Sequence, residues 1–357
     1  MIEAWGWTKN DVLLHVLPLN HVHGLINCLL TPLYADARIH MMDKFNAEIA
    51  WANLLDESSD SCTIFQAVPT VYVQLVNEYY KNLQKIYPKD KVQRIFKSKI
   101  RVCISGSAPL NQQTYHDWYD ITGMNILERY GMTETGMSLT SPLKETSSFK
   151  RIPGLVGRPM PEVKVRIVDA QNESKVLIES DIAKDKIADE GSLSGDIEGN
   201  LEVKGPNVFR EYFNKEKQTK ESFTEDNWFK TGDTALFVKE HGSYKILGRT
   251  SIDIIKSGGY KISAVDIERE ISAHPNVFDV IVFGVKDLKW GEKICAYIKL
   301  KNKDEYNHDQ FIEWCKKCLP KQSVPRIIKI FDEMPRNHIG KVNKKELVKQ
   351  YEKENSI

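Results

Sequence analysis

ERYGMTETG, residues 128–136, closes the short apolar run MNIL and opens into hydroxyls and a carboxylate. An aromatic ring, a hinge glycine, threonines and a glutamate on a few consecutive positions are a set able to hold a nucleotide and its metal. Arg129, a permanent cation, stands immediately before the ring. It needs a negative group to meet. Its neighbour Glu128 or another structural acid is one answer; an acidic group on a ligand is the other.

Working outward, MNILERYG is the last of four short β-branched runs, after DVLLHVLPL, SCTIFQAVP and KIRVCISG, each ending near Gly or Pro. TVYVQLVNEYY and LNQQTYHDWYDI between them carry helical periodicity, the second after a Pro-Leu-Asn start. This alternation predicts an α/β fold with a largely parallel sheet. It also puts ISGSAPL and ERYGMTE in loops beyond the strands' carboxyl ends, where such sheets hold their chemistry. From about residue 163 the pattern turns to β structure, in VKVRIVDA, GNLEVKG and GSYKILGR. Residues 171–199, acidic and rich in Ser and Gly, are expected to be a solvated insertion. The last hundred or so residues predict a small α+β unit, with the boundary at Gly248–Arg249. The expected domains are therefore 1–248 and 249–357.

The chain has 357 residues, which suits two domains. Its 41% hydrophobic and 28% charged residues are ordinary globular composition. A net charge of +1 argues against nucleic acid as a partner. The six cysteines read as reduced thiols of an intracellular protein. Cys315 and Cys318 have no second pair or spaced histidine beside them, so they read as one buried helical face, not a zinc site. No apolar run has transmembrane length. MIEAWGWTKN has neither a basic n-region nor an arginine-rich amphipathic pattern, so no targeting signal is expected on this chain.

Five stretches carry candidate chemistry: LPLNHVHGL (17–25), SGSAPL (105–110), ERYGMTETG, FKTGDTA (229–235) with LGRTSIDIIKSGGYKIS (247–263), and PRNHIGKVNKKEL (335–347). Each has a plainer reading alone. SGSAPL can be a turn, Asp233 can brace its own loop, and Lys341 sits in a solvated basic stretch. Taken together and in this order, they resemble the adenylate-forming superfamily of acyl- and aryl-CoA synthetases, luciferases and adenylation domains. The resemblance covers practically the whole chain. Within the superfamily, LPLNHVHGL, SGSA, ERYGMTE, FREYFNK and GRTSIDIIKSGGYK are similar to the malonyl-CoA synthetases, in particular the eukaryotic mitochondrial type.

That resemblance implies a large α/β adenylation domain with a β-rich subdomain, followed by a mobile α+β C-terminal domain. It implies two half-reactions with ATP, Mg2+ and coenzyme A, through an acyl-adenylate and then a thioester. Glu134 is the expected magnesium-associated carboxylate and Thr133 the α-phosphate donor. Tyr130 and Gly131, with Gly106, Ser107 and Ala108, would hold the adenine. Asp233 would accept from the ribose hydroxyls, with Arg249 nearby. Lys341 would bind carboxylate and α-phosphate oxygens during adenylation. A rotation hinged at Ser251–Asp253 would then bring Gly258, Gly259 and Tyr260 to the pantetheine of CoA, with Lys256 serving the thioester step. Arg129, His21 and Ser105 are the expected substrate contacts, with His23 supporting its loop. Arg129 would grip the distal carboxylate of malonate or methylmalonate bidentately. Where bacterial malonyl enzymes offer a second basic residue, this chain has Val73 and Gln74, which leaves a second carboxylate anchor unassigned.

The superfamily also carries a TSGTTG-x-PKG-type phosphate loop, and no such run occurs in this sequence. Exposed sheet edges and apolar faces are the expected consequence of opening on mid-domain sequence. Three readings stand at this level. The chain is part of a malonyl-CoA synthetase, mitochondrial by resemblance; or it activates a short monocarboxylate; or it is a nucleotide- or partner-binding remnant without turnover.

Overall fold

The apolar runs become parallel neighbours. In the computed structural model, which describes residues 1–147, 149–188, 195–335 and 342–355, β1 (Val12–His15), β2 (Arg38–Met41), β3 (Ile64–Ala67), β4 (Val102–Ser105) and β5 (Leu127–Met132) pair in the order β2-β1-β3-β4-β5, all parallel. β6 (Gly136–Thr140) turns back antiparallel on β5, and β7 (Arg158–Pro159) pairs with β6. Every residue of β1, β3 and β4 is buried. A parallel strand covered on both faces requires that, and it explains why these runs are continuously apolar rather than alternating.

Register fixes which side chains share a face. His15 stands beside Gln66, Gln66 beside Ile104, and Ile104 beside Leu127. Alternation puts Gly106 and Arg129, each two residues further on, on that same face at the carboxyl ends. The other face carries Phe65, Cys103 and Glu128. Phe65 packs against Trp118 at 6.4 Å between ring centroids, and Trp118 stacks on Trp51 at 5.6 Å. Trp118 belongs to the helix Gln112–Thr122, capped by Asn111 Oδ1 accepting from Thr114 N at 2.7 Å and ended by Gly123 at φ 71°.

A second, six-stranded sheet follows: β8 (Lys164–Val168), β9 (Val176–Ser180), β10 (Asp185–Ile187), β11 (Ile197–Lys204), β12 (Phe229–Val238) and β13 (Ser243–Arg249), in the order β10-β9-β8-β11-β12-β13. This corrects the reading of 171–199 as a solvated insertion. VLIES within it is β9, with Leu177 and Ile178 buried, and β10 pairs with it antiparallel. The flanking acids hid a run of three apolar residues that the sheet needs. Residues 189–194 lie outside the described residues.

The chain divides into two compact units, Met1–Thr231 with Ala235–Ile246, and Gly232–Thr234 with Leu247–Ile357. The second is built on β14 (Ile254–Ser257), β15 (Tyr260–Ser263), β16 (Val277–Asp287) and β17 (Gly291–Leu300) in the order β15-β14-β17-β16, with β18 (Ile327–Ile330) parallel beside β17. Cys315 and Cys318 lie on the helix His308–Cys318, one buried and one half-buried, and burial pushes the Cys315 thiol up to about 12. Among the described residues no group of His, Cys, Asp and Glu could hold a metal ion, and no helix is long and apolar enough to cross a membrane.

One ion cluster anchors the second unit. Lys344 Nζ lies 2.6 Å from Asp253 Oδ1 and 2.8 Å from Glu268 Oε1, and all three side chains are largely buried. Burial pulls the lysine's pKa down, but Glu268 and Asp253 outweigh it and the net shift is upward. Removing one member of such a cluster leaves buried charge uncompensated, at about 3–5 kcal/mol. Lys344→Met is therefore expected to lower the urea midpoint of the second unit strongly. Lys344→Met with Asp253→Asn and Glu268→Gln together is expected to recover most of the loss. A Lys344→Met variant as stable as the parent would show the cluster to be solvated.

Candidate active site

ERYGMTETG folds as the end of β5, a tight reversal and the start of β6. Met132 pairs with Gly136, which leaves Thr133, Glu134 and Thr135 at the tip. Glycine is required at 131: a Cβ there would lie 2.0 Å from the Gly136 carbonyl oxygen. Thr133 is exposed, and Glu134 and Tyr130 are half-buried. The Tyr212 hydroxyl donates to Glu134 Oε1 at 3.0 Å, and Phe209 N donates to the Glu134 carbonyl at 2.8 Å. FREYFNK thus steadies the hairpin tip from outside and leaves Thr133 to face solvent.

Arg129 and Glu128 do not pair. They point to opposite faces of β5, and Glu128 Oε1 instead accepts from Gly154 N at 2.6 Å. Arg129 is 3% exposed, and its Nε and Nη2 are buried with no hydrogen-bond partner among the described residues. Burial brings its pKa down to about 10, opposed only by the Cys28 thiol. The guanidinium lies across Gly106: a Cβ on that glycine would sit 2.5 Å from the guanidinium carbon and 2.6 Å from Nε. The glycine in SGSA thus makes room for the cation of ERYG.

The next residue, Ser107, is held at φ 71°, a left-handed conformation unusual outside glycine. Its hydroxyl lies 3.2 Å from His23 Nδ1. His23 opens the π-helix His23–Leu30, which covers the face carrying His15, Gln66 and Arg129; His15 Nε2 donates to the Gly24 carbonyl at 3.0 Å. Burial, then the charges of Arg129 and His15, hold the His23 imidazole well below its ordinary pKa, and its Nε2 has no partner. His21 is half-buried, with its backbone N at 3.4 Å from the Pro18 carbonyl. Ala108 is exposed. Ser105 pairs with Glu128 in register, so alternation turns it to the face opposite Arg129, where its Oγ is buried without a partner.

In the second unit, Arg249 Nε meets Asp233 Oδ1 at 3.1 Å, and the Thr234 and Thr250 hydroxyls lie 2.9 Å apart. Asp253 accepts from Arg249 N at 2.9 Å through the oxygen that Lys344 does not use. Gly258 and Gly259, at φ 58° and 84°, form the two-residue turn between β14 and β15. Both central residues have positive φ, which matches the twist of a tight hairpin. Tyr260 is 57% exposed beside it, and the Lys256 side chain is exposed while its N–H donates to Glu292. Lys341 lies outside the described residues.

Two buried amides were not singled out from sequence. Asn27 on the π-helix and Gln66 on β3 are both 0% exposed, and neither amide has a partner at either atom. The signal was present: a lone amide inside an apolar run, GLINCLL and TIFQAV.

A family model described as AMP-binding enzyme matches residues 1–213, and one described as AMP-binding enzyme C-terminal domain matches 266–341. The chain belongs to the AMP-binding enzyme family. It is 45% identical to the mitochondrial malonate–CoA ligase ACSF3 of Mus musculus and 42% identical to that of Homo sapiens, in each case over 98% of this chain. It is 37% identical to the malonate–CoA ligase of Arabidopsis thaliana over 99% of this chain. The chain spans 59%, 60% and 56% of those relatives' lengths. The crystal structure of ATP-bound MatB from Rhodopseudomonas palustris superposes with a TM-score of 0.78 at 31% identity, covering 98% of this chain and 62% of that one.

Burial keeps the His15 and His23 imidazoles below their ordinary range. The unfolded chain takes up those protons near pH 6.5, and the folded chain only lower. Their contribution is therefore complete above about pH 7, begins to fall near pH 6.5 and is lost as pH drops through the lower folded values. Urea midpoints at pH 7.5 and 5.5 should fall with acidification, and His23→Gln should shrink that difference. An identical pH slope in the variant would place His23 in contact with solvent.

Proposed function

We propose that this chain is the greater part of an ATP-dependent acid–CoA ligase that makes malonyl-CoA, with methylmalonate as a close alternative substrate. One carboxylate of the diacid attacks the α-phosphorus of ATP and pyrophosphate leaves. The thiol of CoA then attacks the acyl carbon of the adenylate and AMP leaves. No covalent bond to the protein is needed, so the work is positioning and charge stabilisation.

The observation that carries the substrate assignment is Arg129. A buried cation with two unused donors and no acid beside it among the described residues is incomplete without an anion. The distal carboxylate of a short diacid supplies both the charge and a planar pair of acceptors. A monocarboxylate supplies neither and leaves the cost of the buried charge standing. The malonate named for the mouse, human and plant relatives is the diacid that fits this reading.

Residues 1–248 form the nucleotide and acyl part in this proposal, and 249–357 the mobile C-terminal domain. Tyr130, Gly131, Gly106, Ser107 and Ala108 line the adenine, and Thr133 hydrogen-bonds the α-phosphate. Asp233 takes the ribose hydroxyls, with Arg249 holding its carboxylate. His21 belongs to the acyl side; Ser105, expected there from the sequence, is turned by strand alternation to the face opposite Arg129 and is not assigned to it. Lys341 serves adenylation; Lys256, Gly258, Gly259 and Tyr260 serve the thioester step. Mg2+ fits Glu134 as a single hard-oxygen ligand, since Tyr212 occupies only Oε1. An ion of that kind is held mainly by substrate phosphates and water, and it supplies charge neutralisation on the phosphoryl oxygens. No residue of this chain is assigned to the β- and γ-phosphates. The mitochondrial setting of the ACSF3 relatives is proposed for this protein too.

Two experiments test the proposal. Malonate should be preferred over propionate, in binding with AMP present and in thioester formation by the whole protein. Arg129→Met should remove that preference, roughly 10- to 100-fold for a charged hydrogen-bonded contact. Equal handling of both acids by the unmodified protein would end the substrate assignment. The same variant should be more stable, because burial lowers the guanidinium to about 10, a sign that the unpaired buried charge costs the fold on the order of a few kcal/mol. That penalty is complete below pH 10 and fades only above it. Separately, Lys341→Ala should abolish adenylate formation yet spare conversion of supplied malonyl-adenylate to the thioester; loss of both would contradict its role.

A further inference from the structure

We propose that Gln66 and Asn27 are the second anchor for the distal carboxylate, receiving it with Arg129 beneath the π-helix; this rests on the malonate reading above. Native interiors pair their buried polar groups. Among the described residues, both atoms of the Asn27 amide, both atoms of the Gln66 amide, His23 Nε2, and Arg129 Nε and Nη2 are all buried without partners. Scattered single orphans have local explanations. A set on one sheet face and the helix covering it indicates a shared missing partner.

The backbone shows that these groups converge. Gln66 on β3 and Arg129 on β5 share a face, with β4 between them. The guanidinium lies over Gly106, the residue that follows β4. The cation therefore leans from β5 towards β3, leaving about one strand spacing of roughly 4.8 Å to the line of Gln66. Asn27 comes from above. It lies one π-helical turn after His23, which feels the charge of Arg129, and directly before Cys28, whose thiol does as well. His23, Gly24, Asn27 and Cys28 are the buried residues of that helix.

The chemistry suits a carboxylate. Such a group is acceptor-only, with room for about four hydrogen bonds. Arg129 offers two unused donors, and each amide offers an NH2. Neutral amides also solve a problem that a second cation would create. Two buried positive charges would repel each other whenever the site held no ligand, whereas two amides add donors without adding charge. The position after VPTVY, occupied by Val73 and Gln74, then needs no basic residue. Gln66 and Asn27 become specificity-determining residues, which act on diacids and not on monoacids.

The test is calorimetric titration of the chain, with AMP present, using malonate and propionate as probes. Gln66→Leu and Asn27→Leu should each weaken malonate about 10-fold and leave propionate within about twofold. Their melting midpoints should be equal to the parent's or higher, since an unsatisfied buried amide is removed. Gln66→Glu, nearly isosteric, places a carboxylate in reach of Arg129. It should weaken malonate more than either leucine variant and raise the midpoint. If Arg129→Met loses malonate but Gln66→Glu and both leucine variants keep it, the amides hold only solvent and this inference fails alone. If Arg129→Met also binds malonate as the parent does, the malonate reading fails with it. Equal loss of malonate and propionate in the leucine variants would reduce the amides to structural groups and overturn the inference.

Discussion

The site depends on one uncompensated charge. Arg129 is placed by strand alternation on the face away from Glu128, the acid that could have neutralised it. It is then laid across a residue with no side chain, Gly106, beside a π-helix whose His23 and Cys28 feel its charge. Each of those three constraints is local, and together they produce a cation without an anion in a dry setting. Dry surroundings are costly to an isolated guanidinium and strengthen its attraction for an arriving carboxylate. The same burial that weakens the fold therefore sharpens recognition.

The rest of the region serves that arrangement. The SGSA turn must supply glycine where the cation lies and a strained serine at the next position. The strain is held by the bond to His23, itself kept neutral by burial and by the cation. A protonated His23 would add a like charge beside Arg129, so its low pKa is a condition of the site rather than a by-product. The second unit shows the opposite solution. There the buried Lys344 has two carboxylates, Asp253 and Glu268, and is complete without a ligand. Comparing the two cations separates a charge balanced by carboxylates from one that, on the proposed reading, awaits a ligand.

Much of this was legible in the sequence. The four apolar runs are continuous because parallel strands are buried on both faces, so β1, β3, β4 and β5 could be read directly. The Pro-Leu-Asn start marked its helix, which Asn111 caps. Two parts were hidden for physical reasons. VLIES was masked by acidic neighbours, because local composition says nothing of which strand pairs beyond it. The π-helix has no sequence rule comparable to the 3.6-residue period, so Asn27 was visible as a lone amide in an apolar run, but the face on which it is buried followed only from the structure. Gln66 was visible as a polar residue in an apolar strand, but its meaning required the register that sets it beside His15 and on the face of Arg129.

On the proposed reading, the distinction between diacid and monoacid follows from which groups remain unpaired in each case. A carboxylate at the far end of the substrate satisfies donors that the fold leaves open; a methyl group in the same place leaves every one of them open and also shuts out water. Discrimination of this kind grows with the number of donors that converge, because each unmet buried donor adds its own desolvation cost. In that proposal Arg129 alone fixes the sign of the charge that is accepted. Adding neutral amides raises the cost of the wrong ligand without raising the cost of the empty site by a second charge, which makes them the more economical way to build selectivity around a cation already buried.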